Sequence, residues 1–353
     1  MLKVAILGGS GYTGGELLRL LLQHPQVKII AVTSERSAGR AVSELFPSLT
    51  GLSETLRFEP LDIKEVVKKA DLFFLCLPHK TSQEVVFNLH KAGKRVIDLS
   101  ADYRLKDAAV YEEWYKTPHM YPVLLKKAVY GISELYRLEI KNAEIVANPG
   151  CYPAAAILGL APVIKSALID LDSIIIDSKS GVSGAGRNPE LPFMFSEANE
   201  SVRAYAVTTH RHTPEIEQEL SRLLRTKKKV KVIFTPHLVP MDRGILSTIY
   251  VKLKNNAQCT MHDAWLHKIY QNFYAKEPFI RVLKEGEYPS TKAVKGTNFC
   301  DISLFLDRRK NSLIIVTAID NLLKGASGQA VQNMNIMYGF DEKMGLSNFA
   351  HYP

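Results

Sequence analysis

The sequence predicts an α/β protein of two domains, a Rossmann-type parallel sheet domain and an α+β domain with a mostly antiparallel sheet. Over the first 150 residues, apolar strand-like runs alternate with helical patterns, which is typical of a parallel sheet flanked by helices. Beyond that point the strand-like stretches lengthen and cluster, which indicates an antiparallel sheet. The length of 353 residues is enough for two hydrophobic cores.

The elements of the first domain follow from the hydrophobic pattern. The run 71–77 is nearly all apolar, as expected for a strand buried on both faces of a parallel sheet. Helices are predicted where apolar residues recur with helical spacing, at 14–22 and 81–92. Strands are predicted at 3–7, 27–33, 71–77, 95–99 and 145–147.

The second domain is predicted from a cluster of strands interrupted by one clear helix, around 262–275. The strands are expected at 173–178, 230–236, 245–253, 299–306 and 312–319. A last helix at about 326–338 follows a strand and a glycine, and we expect it to return to the first domain. The expected division is therefore 1–150 with about 321–353 in one domain, and 151–320 in the other.

Composition and charge exclude several kinds of partner. No apolar run approaches the ~20 residues that span a bilayer, so we expect no membrane partner. The formal charge of +9 comes mostly from dispersed basic residues, and we interpret the densest run, 227–231, as a solvated turn. We therefore expect no nucleic-acid partner, and a positive balance instead suits the steering of small anionic substrates into a cleft.

The four cysteines, Cys76, Cys151, Cys259 and Cys300, are widely spaced and form no CxxC pair. This spacing argues against a disulfide framework and against a metal site, and it suits a reducing compartment. The first residues resemble a strand rather than the basic region of a signal peptide, so we expect a cytoplasmic protein.

A glycine-rich loop follows the first predicted strand. Gly8, Gly11 and Gly14 would let the backbone turn tightly and approach a pyrophosphate, which the N-terminus of the next helix stabilises. A glycine pattern alone is weak evidence, but this one lies between a predicted strand and a predicted helix, with a second strand beyond. The loop therefore predicts a dinucleotide cofactor.

The end of the second strand indicates which dinucleotide binds. An acidic residue there favours NAD, whereas an arginine accommodates the additional phosphate of NADP. The sequence contains Ser34, Glu35, Arg36 and Ser37, so Arg36 with two hydroxyl residues favours NADP(H), although Glu35 weakens the distinction.

Cys151 is the candidate nucleophile. The strand-like run 144–147 precedes it, and Pro153 opens a helix-forming stretch just after it, a position that suits proline. The thiol would therefore face the positive end of a helix dipole, which is one of the settings that favour a thiolate. The alternative is a buried structural cysteine, which the context disfavours.

Two histidines are candidates for the base that accepts the proton of this thiol. His210 and His212 precede a helix that Thr213 could cap, and histidine both titrates near neutral pH and stabilises a neighbouring thiolate. Residues at i and i+2 point to opposite sides of an extended segment, so spacing does not choose between the two histidines.

Two further segments are candidate anion sites. The glycine- and serine-rich loop 180–187 could bind phosphate through backbone N–H groups, or it could be a connector. Arg104 lies just beyond a predicted parallel strand, where it could hold a phosphate or carboxylate, or pair with Asp102.

With these residues assembled, the chain resembles the N-acetyl-gamma-glutamyl-phosphate reductase family of arginine biosynthesis, within the aspartate-semialdehyde dehydrogenase-like group. The matching segments span almost the whole chain in the family's order. They are 8–14 (GGSGYTG), 98–104 (DLSADYR), 148–153 (NPGCYP), 179–187 (KSGVSGAGR), 210–216 (HRHTPEI) and 320–329 (DNLLKGASGQ).

The resemblance implies NADPH-dependent reduction of an acyl phosphate to a semialdehyde through a cysteine thioacyl intermediate. It implies Cys151 as nucleophile, His212 as general acid/base, and a homodimer or homotetramer. His210, Arg104 and Ser183 would contact the substrate. The cofactor would be contacted by Gly8, Ser10, Gly11, Tyr12, Thr13, Gly14, Ser34, Arg36, Ser37, Pro78, Gly184 and Asn321.

Three alternative functions were compared with these motifs, and they fit to different degrees. A lysine-pathway relative that reduces a carrier-bound aminoadipyl phosphate shares most of them. A dinucleotide sensor without turnover would need neither Cys151 nor His212, and a cysteine hydrolase would leave the glycine loop unexplained.

Overall fold

The computed structural model describes residues 1–53, 55–187, 190–224, 226, 228–254, 263–346 and 349–350. The chain forms two compact units, which we describe separately. Unit 1 comprises Met1–Gly150 and Ala326–Ser347, and unit 2 comprises Cys151–Gly325 and Asn348–Pro353. Three residues named in the sequence analysis lie outside the described residues. They are Cys259, Lys227 in the basic run, and His262 at the start of the helix predicted for 262–275.

Unit 1 is built on a seven-stranded sheet in which every strand pair is parallel, so the predicted parallel sheet is confirmed. The strand order is β3-β2-β1-β4-β5-β7-β6. The strands are β1 (Leu2–Leu7), β2 (Val27–Thr33), β3 (Phe58–Glu59), β4 (Leu72–Leu75), β5 (Arg95–Asp98), β6 (Val129–Tyr130) and β7 (Ile145–Ala147). The short edge strands β3 and β6 were not predicted.

The helices of unit 1 cover this sheet. All four residues of β4 are fully buried, which explains its continuous apolar sequence. Asp62 and Asp107 cap two of the shorter helices through their carboxylates. The helices are α1 (Tyr12–Leu21), α2 (Val42–Leu45), α3 (Ile63–Val66), α4 (Ser82–Lys91), α5 (Ala108–Tyr115), α6 (Pro122–Lys127) and α7 (Ser133–Lys141).

Unit 2 contains a second seven-stranded sheet, of order β12-β13-β14-β11-β8-β10-β9. It is mostly antiparallel, as predicted, but β8 pairs with β10 and β12 with β13 in parallel. The strands are β8 (Ile175–Ser180), β9 (Arg203–Ala204), β10 (Ile233–Leu238), β11 (Ile245–Lys252), β12 (Ile280–Val282), β13 (Cys300–Asp307) and β14 (Ser312–Ile319).

Two predicted strand starts in unit 2 were wrong. The strand predicted from 173 begins at Ile175, because 171–173 form a 3-10 turn that the Asp170 carboxylate caps. The strand predicted from 230 begins at Ile233, because the backbone N–H groups of Val230 and Val232 donate to side chains of the preceding helix.

The sequence predicted three helices in unit 2, one opening at Pro153, one following His212 and one around 262–275, and the structure adds two short ones. They are α8 (Cys151–Lys165), α9 (Phe195–Ala198), α10 (Thr213–Arg222), α11 (Asp263–Phe273) and α12 (Thr291–Val294). Helix α8 packs on β11 and β14, and α10 packs on α8. Every residue of α8 from Tyr152 to Ile164 is buried, so this helix lacks the polar stripe by which an amphipathic helix is recognised in a sequence.

The last helix, α13 (Gly328–Tyr338), belongs to unit 1. It begins two residues later than predicted, because a π-helical turn occupies Leu323–Ser327. Its buried Asn333 donates to the Gly131 carbonyl over 2.9 Å and accepts from the Ser133 hydroxyl over 2.8 Å. In the described part of the chain, no helix is long and apolar enough to cross a membrane.

Candidate active site

At the turn from β1 into α1, Gly8 and Gly14 are the two glycines at which an added Cβ would first meet backbone atoms. Gly8 has a left-handed backbone with φ of +84°, and a Cβ there would lie 2.7 Å from the carbonyl oxygen of Cys76. A Cβ at Gly14 would lie 2.4 Å from the carbonyl oxygen of Gly9. These two glycines therefore allow the strand, the turn and the helix to approach one another closely.

Gly11 differs from them. It is the N-cap residue of α1, it supplies no side-chain cap, and a Cβ placed on it would meet no atom of the described residues within 4 Å. Packing in the described part of the chain thus does not require glycine at this position. The first backbone N–H groups of an α-helix have no partner within the helix, and such a helix start can bind a pyrophosphate. Ser10, Tyr12 and Thr13 lie in the same turn.

The end of β2 is joined to this loop by the Ser34 hydroxyl, which donates to the Ser10 hydroxyl over 2.9 Å. The Glu35 carboxylate accepts from the backbone N–H of Leu61 over 2.8 Å, so this acidic group is engaged by the protein. Arg36 is exposed and Ser37 is buried. Recognition of a 2′-phosphate by Arg36 stays a prediction.

The loop after β4, which contains the exposed Pro78, is held by the carboxylate of Asp102, which the sequence suggested only as a partner of Arg104. Asp102 is fully buried and accepts from the backbone N–H of Lys80 over 2.8 Å and of Ser82 over 3.1 Å. Lys80 has a φ of +76°, which is strained for a residue other than glycine. Asp102 belongs to the DLSADYR motif, but only the fold identifies its backbone partners.

Arg104 is buried beside the carboxyl ends of β5 and β7. Its Nε donates to the Asn148 carbonyl over 2.8 Å and its Nη2 to the Leu99 carbonyl over 2.9 Å. Burial, reinforced by the charge of Asp102, raises the pKa of the nearby Asp98 carboxyl to about 7. The Arg104 charge acts in the opposite direction and lowers the pKa of Asp98.

In unit 2, Cys151 is the first residue of α8 and is partly exposed. Its position places the thiol at the positive end of a helix that is buried along nearly all of its length. The predicted strand-to-helix context of Cys151 is therefore present. Cys76 and Cys300 have different settings, because burial raises the pKa of the Cys76 thiol and Cys300 lies inside β13.

The two histidines lie beside the start of α8. The ring centroids of His210 and His212 are 4.8 Å apart, and those of Tyr152 and the two histidines are 5.4 Å and 5.9 Å apart. Tyr152 follows Cys151 directly, so the fold brings the histidine pair to the turn that carries the candidate nucleophile. Thr213 does not cap α10 as predicted, because the helix begins at Thr213 and the N-cap is His212.

His210 is held as a neutral ring. Its Nδ1 accepts from the backbone N–H of His212 over 3.1 Å, which leaves the proton on Nε2. Burial, with a smaller contribution from the charge of Arg211, lowers the pKa of His210 to about 4. At neutral pH His210 is therefore suited to donate a hydrogen bond rather than to exchange a proton.

Two tyrosines complete this cluster and were not predicted. The Tyr152 and Tyr205 hydroxyls are 2.9 Å apart, and the Tyr205 hydroxyl lies 3.5 Å from Nε2 of His210. Tyr152 adjoins Cys151 in the sequence, which could have suggested a role, whereas Tyr205 reaches the site only through the fold.

The second glycine-rich loop is ordered by a side-chain contact. Ser183 lies in a 3-10 turn at Val182–Ala185, and its hydroxyl accepts from Nδ2 of Asn321 over 3.0 Å. The Asn321 Oδ1 accepts from the backbone N–H of Gly244 over 2.8 Å. A Cβ at Gly184 would lie 3.7 Å from Nδ2 of Asn321. The fold therefore brings these three predicted residues, Ser183, Gly184 and Asn321, together.

Among the described residues, no group of three or more histidine, cysteine, aspartate or glutamate side chains is arranged to hold a metal ion. The chemistry that the described groups support is nucleophilic. A thiol at a helix N-terminus beside a histidine pair suits acyl transfer, and the loop of unit 1 suits a dinucleotide.

Comparison with known proteins identifies the class to which these features belong. A family model described as the NAD binding domain of semialdehyde dehydrogenase matches residues 3–143. A second, described as the semialdehyde dehydrogenase dimerisation domain, matches residues 151–321. Aspartate semialdehyde dehydrogenase II of Vibrio cholerae, complexed with ASA, shares the fold at a TM-score of 0.72 and 16% identity, covering 96% of this chain and 98% of that chain. The Candida albicans aspartate semialdehyde dehydrogenase with NADP has a TM-score of 0.73 at 14% identity, over 96% and 99% of the two chains.

Closer relatives are similar over their full length. Proteins named N-acetyl-gamma-glutamyl-phosphate reductase from Geobacter sulfurreducens and Pelobacter propionicus are each 56% identical over 354 residues, covering 100% of both chains. A relative of the same name from Acetivibrio thermocellus is 49% identical over 352 residues. The chain therefore belongs to the N-acetyl-gamma-glutamyl-phosphate reductase family of the semialdehyde dehydrogenases.

Two variants test the cofactor site and serve as controls for each other. Gly11→Ala adds a methyl group that the protein can accommodate, so the melting temperature should stay unchanged while NADPH and NADH both bind about tenfold or more weakly.

Arg36→Ala should weaken NADPH binding by roughly tenfold to a hundredfold and leave NADH binding nearly unchanged, because one charge-assisted contact contributes about 1.5–3 kcal/mol. Fluorescence titration with both cofactors gives the dissociation constants. An equal loss for both cofactors in Arg36→Ala would show that Arg36 does not recognise the 2′-phosphate.

Proposed function

We propose that this protein reduces N-acetyl-gamma-glutamyl phosphate to N-acetyl-glutamate 5-semialdehyde with NADPH, releasing phosphate, as a step of arginine biosynthesis. The observation that carries the proposal is Cys151 at the start of α8 beside His210 and His212. Full-length relatives at 56% identity bear the name of this reaction. Unit 1 would bind NADP(H), and unit 2 would carry the chemistry and the contacts between subunits.

The proposed roles divide the acyl transfer between two side chains. His212 accepts the thiol proton of Cys151, and the thiolate attacks the acyl carbon. The bond from that carbon to the phosphate oxygen breaks, His212 protonates the departing phosphate, and a thioester remains on Sγ. His210, neutral with a proton on Nε2, donates a hydrogen bond to a substrate oxygen.

NADPH, when bound, supplies the hydride that reduces the thioester carbon. The carbon–sulfur bond then breaks, the carbonyl re-forms as an aldehyde, and the thiolate is regenerated. One proton from water restores the thiol. The thioester matters because it replaces a single difficult displacement by two easier steps.

The remaining predicted contacts keep their proposed roles. Arg104 and Ser183 would contact the substrate, Arg104 as a positive charge whose orientation is set by two backbone carbonyls. The residues proposed to contact NADP(H) are Gly8, Ser10, Gly11, Tyr12, Thr13, Gly14, Ser34, Arg36, Ser37, Pro78, Gly184 and Asn321.

We place the reaction in the cytoplasm, since the dispersed cysteines suit a reducing compartment. Cell fractionation with a tagged protein tests this location, and recovery outside the cytoplasm would contradict it.

The thioacyl step has a direct test. Enzyme mixed with acyl phosphate in the absence of NADPH should gain one N-acetylglutamyl group, which intact-protein mass spectrometry detects and peptide mapping assigns to Cys151. Cys151→Ala should abolish the adduct and turnover while NADPH binding stays near normal. Cys300→Ala, a change at a buried cysteine inside β13, should keep both. Full activity in Cys151→Ala would contradict the proposed function.

The two histidines should differ in their kinetic effects. His212→Asn should lower kcat by about 10²–10⁴-fold, the usual range for losing a general acid/base, and should shift the pH profile of Cys151 labelling by iodoacetamide upward. His210→Asn should act mainly on KM for the acyl phosphate, because a ring with a pKa of about 4 stays neutral throughout the working range. Steady-state kinetics of both variants at pH 6–9 separates the roles, and the reverse pattern would exchange them.

Assembly into a homodimer or homotetramer is supported by the sheet of unit 2. Ile175 lies opposite Ile233 on β10 and opposite Tyr250 on β11, so these side chains form one row across three strands. All three are exposed, with 62% of Ile233 accessible, and the segment matches a dimerisation domain. An exposed apolar row on a sheet face is typical of a contact surface.

Ile175→Asp should therefore shift the sedimentation coefficient toward that of a monomer, because a buried carboxylate in a subunit contact is costly. Val123→Asp, a change at an exposed apolar residue of unit 1, is the matched control and should sediment like the unmodified protein. Unchanged sedimentation of Ile175→Asp would exclude this face as the contact.

A further inference from the structure

The segment Asp320–Gly325, between β14 and α13, packs directly against the nucleophile. A Cβ placed on Gly325 would lie 2.7 Å from the Cβ of Cys151 and 3.1 Å from its Cα. The first distance is shorter than real Cβ contacts allow. Because the atoms it would meet are the Cβ and backbone of Cys151, the neighbour cannot relieve the contact by changing a side-chain rotamer.

The Gly325 side of this contact is held firmly. Asp320 is fully buried, and its Oδ1 accepts from the backbone N–H groups of Leu322 and Leu323 over 2.8 Å and 3.1 Å. Its backbone carbonyl accepts from the N–H of Gly325 over 3.0 Å, and its Oδ2 accepts from Gly296 over 2.8 Å. The turn that presents Gly325 is therefore tied at both its carboxylate and its backbone.

The Cys151 side can yield more readily. Helix α8 is buried from Tyr152 onward, so the helix as a whole is fixed by its packing, whereas its first residue is partly exposed. On the far side of Gly325, the Cδ1 of Ile319 would lie 3.4 Å from an added Cβ, which is ordinary contact. A side chain at position 325 would therefore displace the first turn of α8 at Cys151.

We propose that Gly325 is a positioning residue for the nucleophile: the absence of a side chain at 325 sets the place of Cys151 at the start of α8. The inference rests on the proposed function of Cys151 as the acyl-accepting thiol. A displacement of about 1 Å in a reacting group can cost about 10²-fold in rate. The contact would therefore govern reactivity as well as stability.

A second buried glycine of unit 2 provides a matched control. A Cβ on Gly159, in the body of α8, would lie 2.9 Å from Cγ2 of Thr317 and 3.1 Å from Cδ1 of Ile249. Gly159→Ala therefore crowds the same helix against the sheet without touching Cys151. Both variants should lower the melting temperature, and only the change at 325 should alter the thiol.

Gly325→Ala should lower kcat by about 10- to 100-fold, leave KM for NADPH unchanged, and change the rate of Cys151 labelling by iodoacetamide at least about fivefold. Gly159→Ala should keep kcat and labelling within about twofold of the unmodified enzyme. If Gly325→Ala matches Gly159→Ala in both measurements, Gly325 is a structural glycine only and the proposal is wrong. Labelling needs no turnover, so this outcome is distinct from an active Cys151→Ala, which would remove the proposed function itself.

If Gly325→Ala does not fold, the contact between positions 325 and 151 can be tested by combining Gly325→Ala with Cys151→Gly and measuring melting temperatures. Cys151→Gly removes the Cβ that the new methyl would meet at 2.7 Å, so Gly325→Ala should be tolerated better in that background and its loss of melting temperature should shrink. The same loss, or failure to fold, in both backgrounds would show that Cys151 is not the group that requires glycine at 325.

Discussion

The start of helix α8 is the constraint on which the candidate site depends. The helix is enclosed by the sheet of unit 2 and by α10 along nearly its whole length, and Cys151 is the residue at its partly exposed end. A buried helix cannot easily shift or rotate, because its side chains are close-packed on every side. The position of the thiol is therefore determined by the packing of a whole helix and of the tied turn at Gly325, and not by a mobile loop.

The surroundings of the histidine pair also constrain the candidate site. The backbone N–H of His212 that lies at the start of α10 orients the His210 ring, and burial keeps that ring neutral. His210 is thus a fixed hydrogen-bond donor, and this setting is the reason why we propose proton transfer for His212 and not for His210.

Much of the fold was predictable because it is encoded locally. The strands at β2, β7 and β14 were predicted with their observed bounds, since long or wholly apolar runs carry a strong periodic signal. The short strands β3 and β6 were missed because two residues carry no period. The strand predicted at 230 began late because Val230 and Val232 bond to α10, a contact that lies outside any local pattern.

The sequence by itself determined the fold class, the glycine loop and the candidate nucleophile, because each is a matter of residue type within a few neighbours. Only the tertiary structure separated Gly11, where packing in the described part of the chain does not require glycine, from Gly8 and Gly14, where it does. It likewise identified the partners of Asp102 and the contact of Gly325 with Cys151. These depend on distances between segments far apart in the chain, which are set by packing and not by local propensity.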